Sequence, residues 1–179
     1  MSADAGGALL PRLPREVEES DRADAVRHAL AARVLRLGPA GPLPLLSLGP
    51  ALTQALRRAR TQGRLGLGLE PAETSLEQER AGLAAVDART GRPRAARTSR
   101  LGLVSRDAAA RFQRRLAGLA ERHADRLLLV VLDADGTEVG RALFGRAKET
   151  KLLLISHKRA VADVLLALAA DEAMISGGA

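Results

Sequence analysis

The sequence predicts an α/β fold, a mixed sheet with flanking helices that is more regular in its C-terminal half. Three observations carry that prediction. Two apolar runs, LLLVVLD (127–133) and KLLLIS (151–156), have the length and composition of strands buried on both faces. Between Ser105 and His123 the positions Ala109, Phe112, Leu116, Leu119 and His123 recur at spacings of 3, 4, 3 and 4, which is the period of a helix with one buried stripe. No proline follows Pro93, so every element beyond it keeps its full set of backbone donors.

The elements follow in chain order. Residues 1–19, with Pro11 and Pro14, read as a flexible tail. Residues 20–63 read as a helical N-terminal region. Its first helix spans Ser20–Leu37, capped by Ser20 or Asp21, with Val26, Leu30, Val34 and Leu37 on one stripe and Gly38 as the stop. Residues 38–50 hold seven Gly or Pro in thirteen, which excludes a continuous helix or a central strand; their leucines lay the segment down on the fold. A second helix runs from Pro50 to Gln62 with Gly63 as its C-terminal stop.

Residues 64–179 read as the α/β domain. RLGLGLE (64–70) alternates Leu with Gly and predicts a strand with one bare face. A polar helical turn follows at 71–81, then a hairpin turning near Thr90-Gly91, with a strand at Leu101–Val104. Ser105 caps the amphipathic helix to His123. The last helix, His157–Glu172, has only Asp163 charged between Ala160 and Ala170. A helix apolar almost all round is either sandwiched in the core or covered by another chain. The expectation is a homodimer through this C-terminal helix.

Composition narrows the function classes. The chain of 179 residues is long enough to bury a core without covalent staples. It has no cysteine, which removes disulfide scaffolds, thiolate metal sites and thiol catalysis. The start lacks the basic and apolar regions of a signal peptide, and no apolar run approaches the roughly 18 residues needed to cross a bilayer. The expected location is cytoplasmic, with no membrane partner. Of the 28 basic residues only Lys148, Lys151 and Lys158 are lysine, and the net charge is +7. Residues 51–106 hold eleven Arg against five acids, whereas the flanking thirds are nearly balanced.

That excess points to the Arg-rich segment 89–106, where Arg89, Arg92, Arg94, Arg97, Arg100 and Arg106 meet no acid. Guanidinium groups offer permanently charged, bidentate donors to phosphates or carboxylates. Arg57, Arg58, Arg60 and Arg64 add to the same third of the chain. Both Phe lie outside the segment, so it has no platform on which bases stack. The competing view is a solvated, Arg-biased surface.

Other motifs are weaker. The histidines His28, His123 and His157 are widely spaced and read as structural, with the protonated form of His123 favoured at a helix C-terminus. Gly63, Gly66 and Gly68 do not make a dinucleotide fingerprint. Asp133-Ala-Asp135-Gly136-Thr137, after an apolar strand, resembles the first motif of haloacid-dehalogenase-type phosphatases. The resemblance covers five residues and their strand. It implies Asp133 as phosphoryl nucleophile, Asp135 as general acid/base, Ser156 at the second-motif position and Mg²⁺ as cofactor. The preferred reading of the same residues is a tight turn, with no catalytic residue, metal or cofactor. The function expected is therefore that of an accessory or regulatory binding protein. Its Arg segment would contact an acidic protein or a nucleic-acid backbone such as RNA, with the phosphotransferase as the alternative.

Overall fold

Leu127–Leu132 forms strand β5, all six residues buried. It is paired in parallel with Arg100–Ser105 (β4) on one side and Pro42–Leu46 (β2) on the other. The computed structural model describes residues 12–92 and 94–178. Its remaining strands are Val34–Arg36 (β1), Leu65–Leu67 (β3) and Leu152–Ile155 (β6). The six make one mixed sheet in the order β1-β2-β5-β4-β6-β3. β1, β6 and β3 each join antiparallel to their inner neighbour.

Helices cover both faces, as the sequence predicts for an α/β chain. Ala23–Ala32 (α2), Pro50–Thr61 (α3) and Lys158–Gly177 (α7) pack on one face with Leu46, Leu101, Leu103, Leu128, Val130 and Ile155. Leu69–Thr90 (α4) and Ala110–Arg122 (α5) cover the other, against Val104, Leu129, Val131, Leu152 and Leu154. Alternate strand residues feed opposite cores, which is why β5 and β6 read as continuous apolar runs. Two short helices complete the chain, Arg15–Glu18 (α1) and Gly136–Phe144 (α6). Among the described residues no helix is long and apolar enough to cross a membrane.

Several expectations give way to tertiary contacts. Of the predicted tail, residues 1–11 lie outside the described residues; Leu13 and Val17 are buried in the core beside α1. The first helix ends at Ala32, because Arg33 turns extended and Val34–Arg36 pairs with β2. The Gly/Pro-rich segment contains an interior strand after all. In β2 the Leu45 N–H donates to the Arg33 carbonyl. Strand alternation therefore turns the donor-free nitrogens of Pro42 and Pro44 away from β1, and pairing with β5 starts only at Leu45. Residues 20–63 thus share one sheet and one core with the rest of the chain.

The hairpin expected near Thr90-Gly91 is the C-terminus of α4, with Gly91 in the left-handed conformation (φ 63°) as its stop. Ser105 is the last residue of β4 and not a cap; Ala109 precedes α5. The homodimer expectation loses its basis, because the apolar stretch of α7 from Ala160 to Asp171 is covered within its own chain, although Met174 and Ile175 beyond it are exposed. Val161, Val164, Leu165 and Leu168 share a core with Val26 and Leu30 of α2 and with Leu52 and Leu56 of α3.

α7 also fixes α3 by a polar contact. Asp171 is buried, and its carboxylate accepts from the N–H groups of Ala51 (3.0 Å) and Leu52 (2.8 Å), the open donors at the start of α3. Next to it, Glu172 accepts from the Ser47 N–H at 2.7 Å. Gly49 makes room for this cap, since a Cβ there would overlap the Asp171 carboxylate. Asp171→Ala should cost about 2 kcal/mol, the scale of a lost helix cap plus an orphaned buried donor. Gly49→Ala should destabilise in the same direction. Urea denaturation of both variants checks this, and an unchanged midpoint in both would rule out the cap as a stabilising contact.

Candidate functional site

The Arg segment does not present six free guanidinium groups. α4 runs beneath it and supplies carboxylates: Arg94 pairs with Asp87 at 2.9 Å and Arg100 with Glu79 at 2.9 Å. Arg97 pairs with Glu18 (2.8 Å) and Arg106 with Asp133 (2.8 Å). Arg89 and Arg92 are exposed and make no ion pair among the described residues. The segment is acid-free in sequence and largely neutralised in space. Partly exposed pairs of this kind stabilise little, but they cancel the field that would draw a polyanion.

The residues of the phosphatase-like motif are likewise held, and held apart. Asp133 accepts from Arg106 through one oxygen and from Arg33 (3.1 Å) through the other. These contacts, the Arg106 hydrogen bond foremost, hold its carboxyl below the usual carboxylate range. Asp135 is the N-cap of α6, accepting from the N–H groups of Thr137 and Glu138, while the Glu138 carboxylate accepts from the Asp135 N–H at 2.7 Å. Local Asp–Gly chemistry operates as expected, but it starts a helix where the sequence reading had only a turn.

Ser156 follows β6, which runs antiparallel to β4, and the register sets Ile155 beside Leu101 and Leu128. It therefore sits at the opposite end of the sheet from Asp133, roughly 20 Å away at about 3.3 Å per strand residue. Its hydroxyl faces the Arg64 carbonyl at 3.4 Å. Among the described residues no three carboxylate or imidazole side chains converge on a common point.

A different set of cations does converge. Arg57 and Arg60, one turn apart on α3, reach the C-terminal turn of α6: Arg57 Nε donates to the Ala142 carbonyl at 2.8 Å, and Arg60 Nη1 to the Leu143 carbonyl at 3.3 Å. A cation at a helix C-terminus meets the negative end of the backbone dipole. The Arg60 guanidinium lies 4.5 Å from the centroid of the Phe144 ring, and Lys148 Nζ lies 4.7 Å from it. Lys148 is brought back to α6 because its carbonyl packs against Gly140, where a Cβ would overlap it.

Arg141 and Arg146 flank Phe144 in the chain and are exposed. The contacts of Arg57, Arg60 and Lys148 are to carbonyls and a ring, and none of the five cations pairs with a carboxylate among the described residues. The signal was present in the sequence as two stretches without Asp or Glu, residues 25–69 and 139–148. The second is hidden in a third of the chain whose charges nearly cancel.

His123 departs from its expected state. It is buried, with Nε2 3.3 Å from Glu77, and burial lowers its pKa despite that carboxylate and the helix end. Desolvation outweighs both attractions here.

No protein family and no curated protein matches this sequence. Among solved structures the chain is similar to the Giardia lamblia 15.5kD RNA binding protein, at 14% identity over 69% of this chain and 87% of that one, with a TM-score of 0.44. A likeness that loose says nothing of what this chain binds.

The Asp133 contacts predict an acid dependence. Because its pKa is lowered in the folded chain, its contribution is complete above the unfolded value, about 3.9, and is lost as the pH falls through the lower folded value. Between about pH 4 and pH 2 the urea midpoint of Asp133→Asn should therefore fall less steeply than that of the parent protein. Equal slopes would mean that the Arg33 and Arg106 contacts do not favour the ionised form.

Proposed function

We propose that this protein is a binding module without catalytic machinery, and that it takes the phosphate backbone of a nucleic acid on the face where α3 meets α6. One observation carries the reading: Arg57 and Arg60 are fixed at the end of α6 by carbonyls, Arg60 and Lys148 lie over the Phe144 ring, and none of the three pairs with a carboxylate among the described residues. A guanidinium that has donated one N–H to a helix carbonyl still has several left for phosphate oxygens, and it is already oriented. Arg141 and Arg146 extend the charge along the same stretch.

Recognition on this face is of backbone rather than bases. The Phe144 ring is taken up by its two cations, and Phe112, the other aromatic, packs against the α4–α5 core. Without free rings there is no stacking platform, so affinity comes from counterion release and is indifferent to sequence. The Arg89–Arg106 segment takes a secondary part, through Arg89 and Arg92.

Fluorescence anisotropy with a labelled single-stranded RNA of mixed sequence tests this. The parent protein should bind at low ionic strength, with log K falling linearly against log salt. Arg57→Glu with Arg60→Glu should weaken binding at least tenfold and flatten that slope by about 1.4, some 0.7 per lost phosphate contact. Arg89→Glu with Arg92→Glu should change the slope by less than half as much. Absence of binding at low salt, or a larger loss from the second pair than from the first, would falsify the assignment.

A further inference from the structure

The cations where α3 meets α6 are not spread as a stripe; they crowd on one ring. Arg60 and Lys148 lie 4.5 and 4.7 Å from the centroid of Phe144. Their charges therefore stand within about 10 Å of each other, one Debye length at 0.1 M salt. Arg57 is one helical turn from Arg60 and donates to the neighbouring carbonyl of the same helix end. Salt screens the repulsion inside such a group poorly, and a bound anion relieves it.

Among the described residues no carboxylate offsets the cluster. Glu149, next to Lys148 in the chain, pairs with Lys151 at 2.8 Å. Glu138 is held in the capping box at the start of α6, and Asp163 of α7 lies on the other flank of α3, beside Arg58 and Gln62. Arg57, Arg60 and Lys148 are all exposed. Both terminal nitrogens of Arg57, Nε and Nη2 of Arg60 and the Lys148 ammonium make no hydrogen bond among the described residues. Gly145, directly after Phe144, keeps the approach clear, because no atom lies within 4 Å of the position a Cβ would take there.

Three convergent donors match the end of a nucleic-acid strand better than its middle. An internal phosphodiester has one charge and two unesterified oxygens. A terminal phosphate monoester has three such oxygens and, with its second pKa near 6, a charge of about −1.5 to −2 at pH 7. We propose, resting on the nucleic-acid reading above, that this face binds the terminal phosphate monoester of the strand. Arg57, Arg60 and Lys148 supply the donors to its three oxygens, and Arg141 and Arg146 follow the adjoining diesters.

Fluorescence anisotropy of the full chain with a set of short labelled RNAs tests this. The set is one strand without terminal phosphates, the same strand with a 5′-phosphate or a 3′-phosphate, and an unphosphorylated strand two nucleotides longer, whose total charge is roughly that of the phosphorylated ones. At least one phosphorylated strand should bind about tenfold more tightly than the longer strand of equal charge. Lys148→Gln removes one donor, and Phe144→Leu removes the ring that gathers Arg60 and Lys148 while keeping every charge. In each variant the preference should shrink to about twofold or less. Equal binding of all the strands by the parent protein would overturn this proposal and leave the backbone reading in place, whereas binding of none would remove both. A preference undiminished in either variant would also overturn it, because the strand end would then be held elsewhere.

Discussion

Asp171, near the end of the last helix, accepts from the first open N–H groups of α3, 120 residues earlier in the chain, and much of the rest depends on that contact. It is a buried carboxylate that makes no ion pair among the described residues. Its charge is held by backbone donors at a helix N-terminus, where the dipole also favours it. The cap sets where α3 begins, and the apolar contacts of Leu52 and Leu56 with α7 set how it is rotated. Rotation decides which residues of α3 face outward. With Leu52, Ala55, Leu56 and Ala59 buried, Arg57 and Arg60 are left on the side that meets α6. The cationic face is therefore a consequence of how the core closes.

The same logic operates from the other partner. α6 starts at its capping box and ends at Gly145, whose φ of 69° releases the chain into the return toward β6. The tight approach of Lys148 to Gly140 folds that return onto the helix. Free carbonyls at the end of α6 would otherwise point into water, and Arg57 and Arg60 take two of them. Structural satisfaction of the helix end and presentation of charge are thus one arrangement. The Arg94–Arg106 contacts are the contrasting case. There the guanidinium groups meet carboxylates of α1, α4 and the β5–α6 loop, and the result is a braced surface with little net field.

What the sequence allowed to be read depended on whether a signal was local. β5, β6 and α7 were legible because burial on both faces writes itself as unbroken apolar runs, α3 because Pro50 and Gly63 mark its ends, and α5 because it carries one clear stripe. α4 was legible only as a helical turn at 71–81, and its later turns were read as a hairpin, because burial is confined to its first two turns, at Leu69, Ala72 and Leu76, so the rest carries no periodicity. α6 had a legible start in the Asp135–Glu138 spacing, a capping box that was read only as turn chemistry. β2 was excluded on its prolines, although a strand tolerates them where their missing donors face no partner. The site was half legible. Arg57 and Arg60 belong to the basic middle third, but Phe144 and Lys148 come from a region whose total charge nearly vanishes, and only the fold brings the two stretches together.

The most direct test of the account is where a nucleic acid touches the protein. Two-dimensional NMR of the ¹⁵N-labelled chain, following arginine Nε–H and backbone amide resonances while a short single-stranded RNA is added, reads this residue by residue. Binding on the α3–α6 face predicts shifts at the Nε–H of Arg57 and Arg60 and at the amides of residues 140–148, with Arg94, Arg97 and Arg100 left in place. Shifts confined to residues 89–106, with the α3 and α6 resonances unmoved, would contradict it.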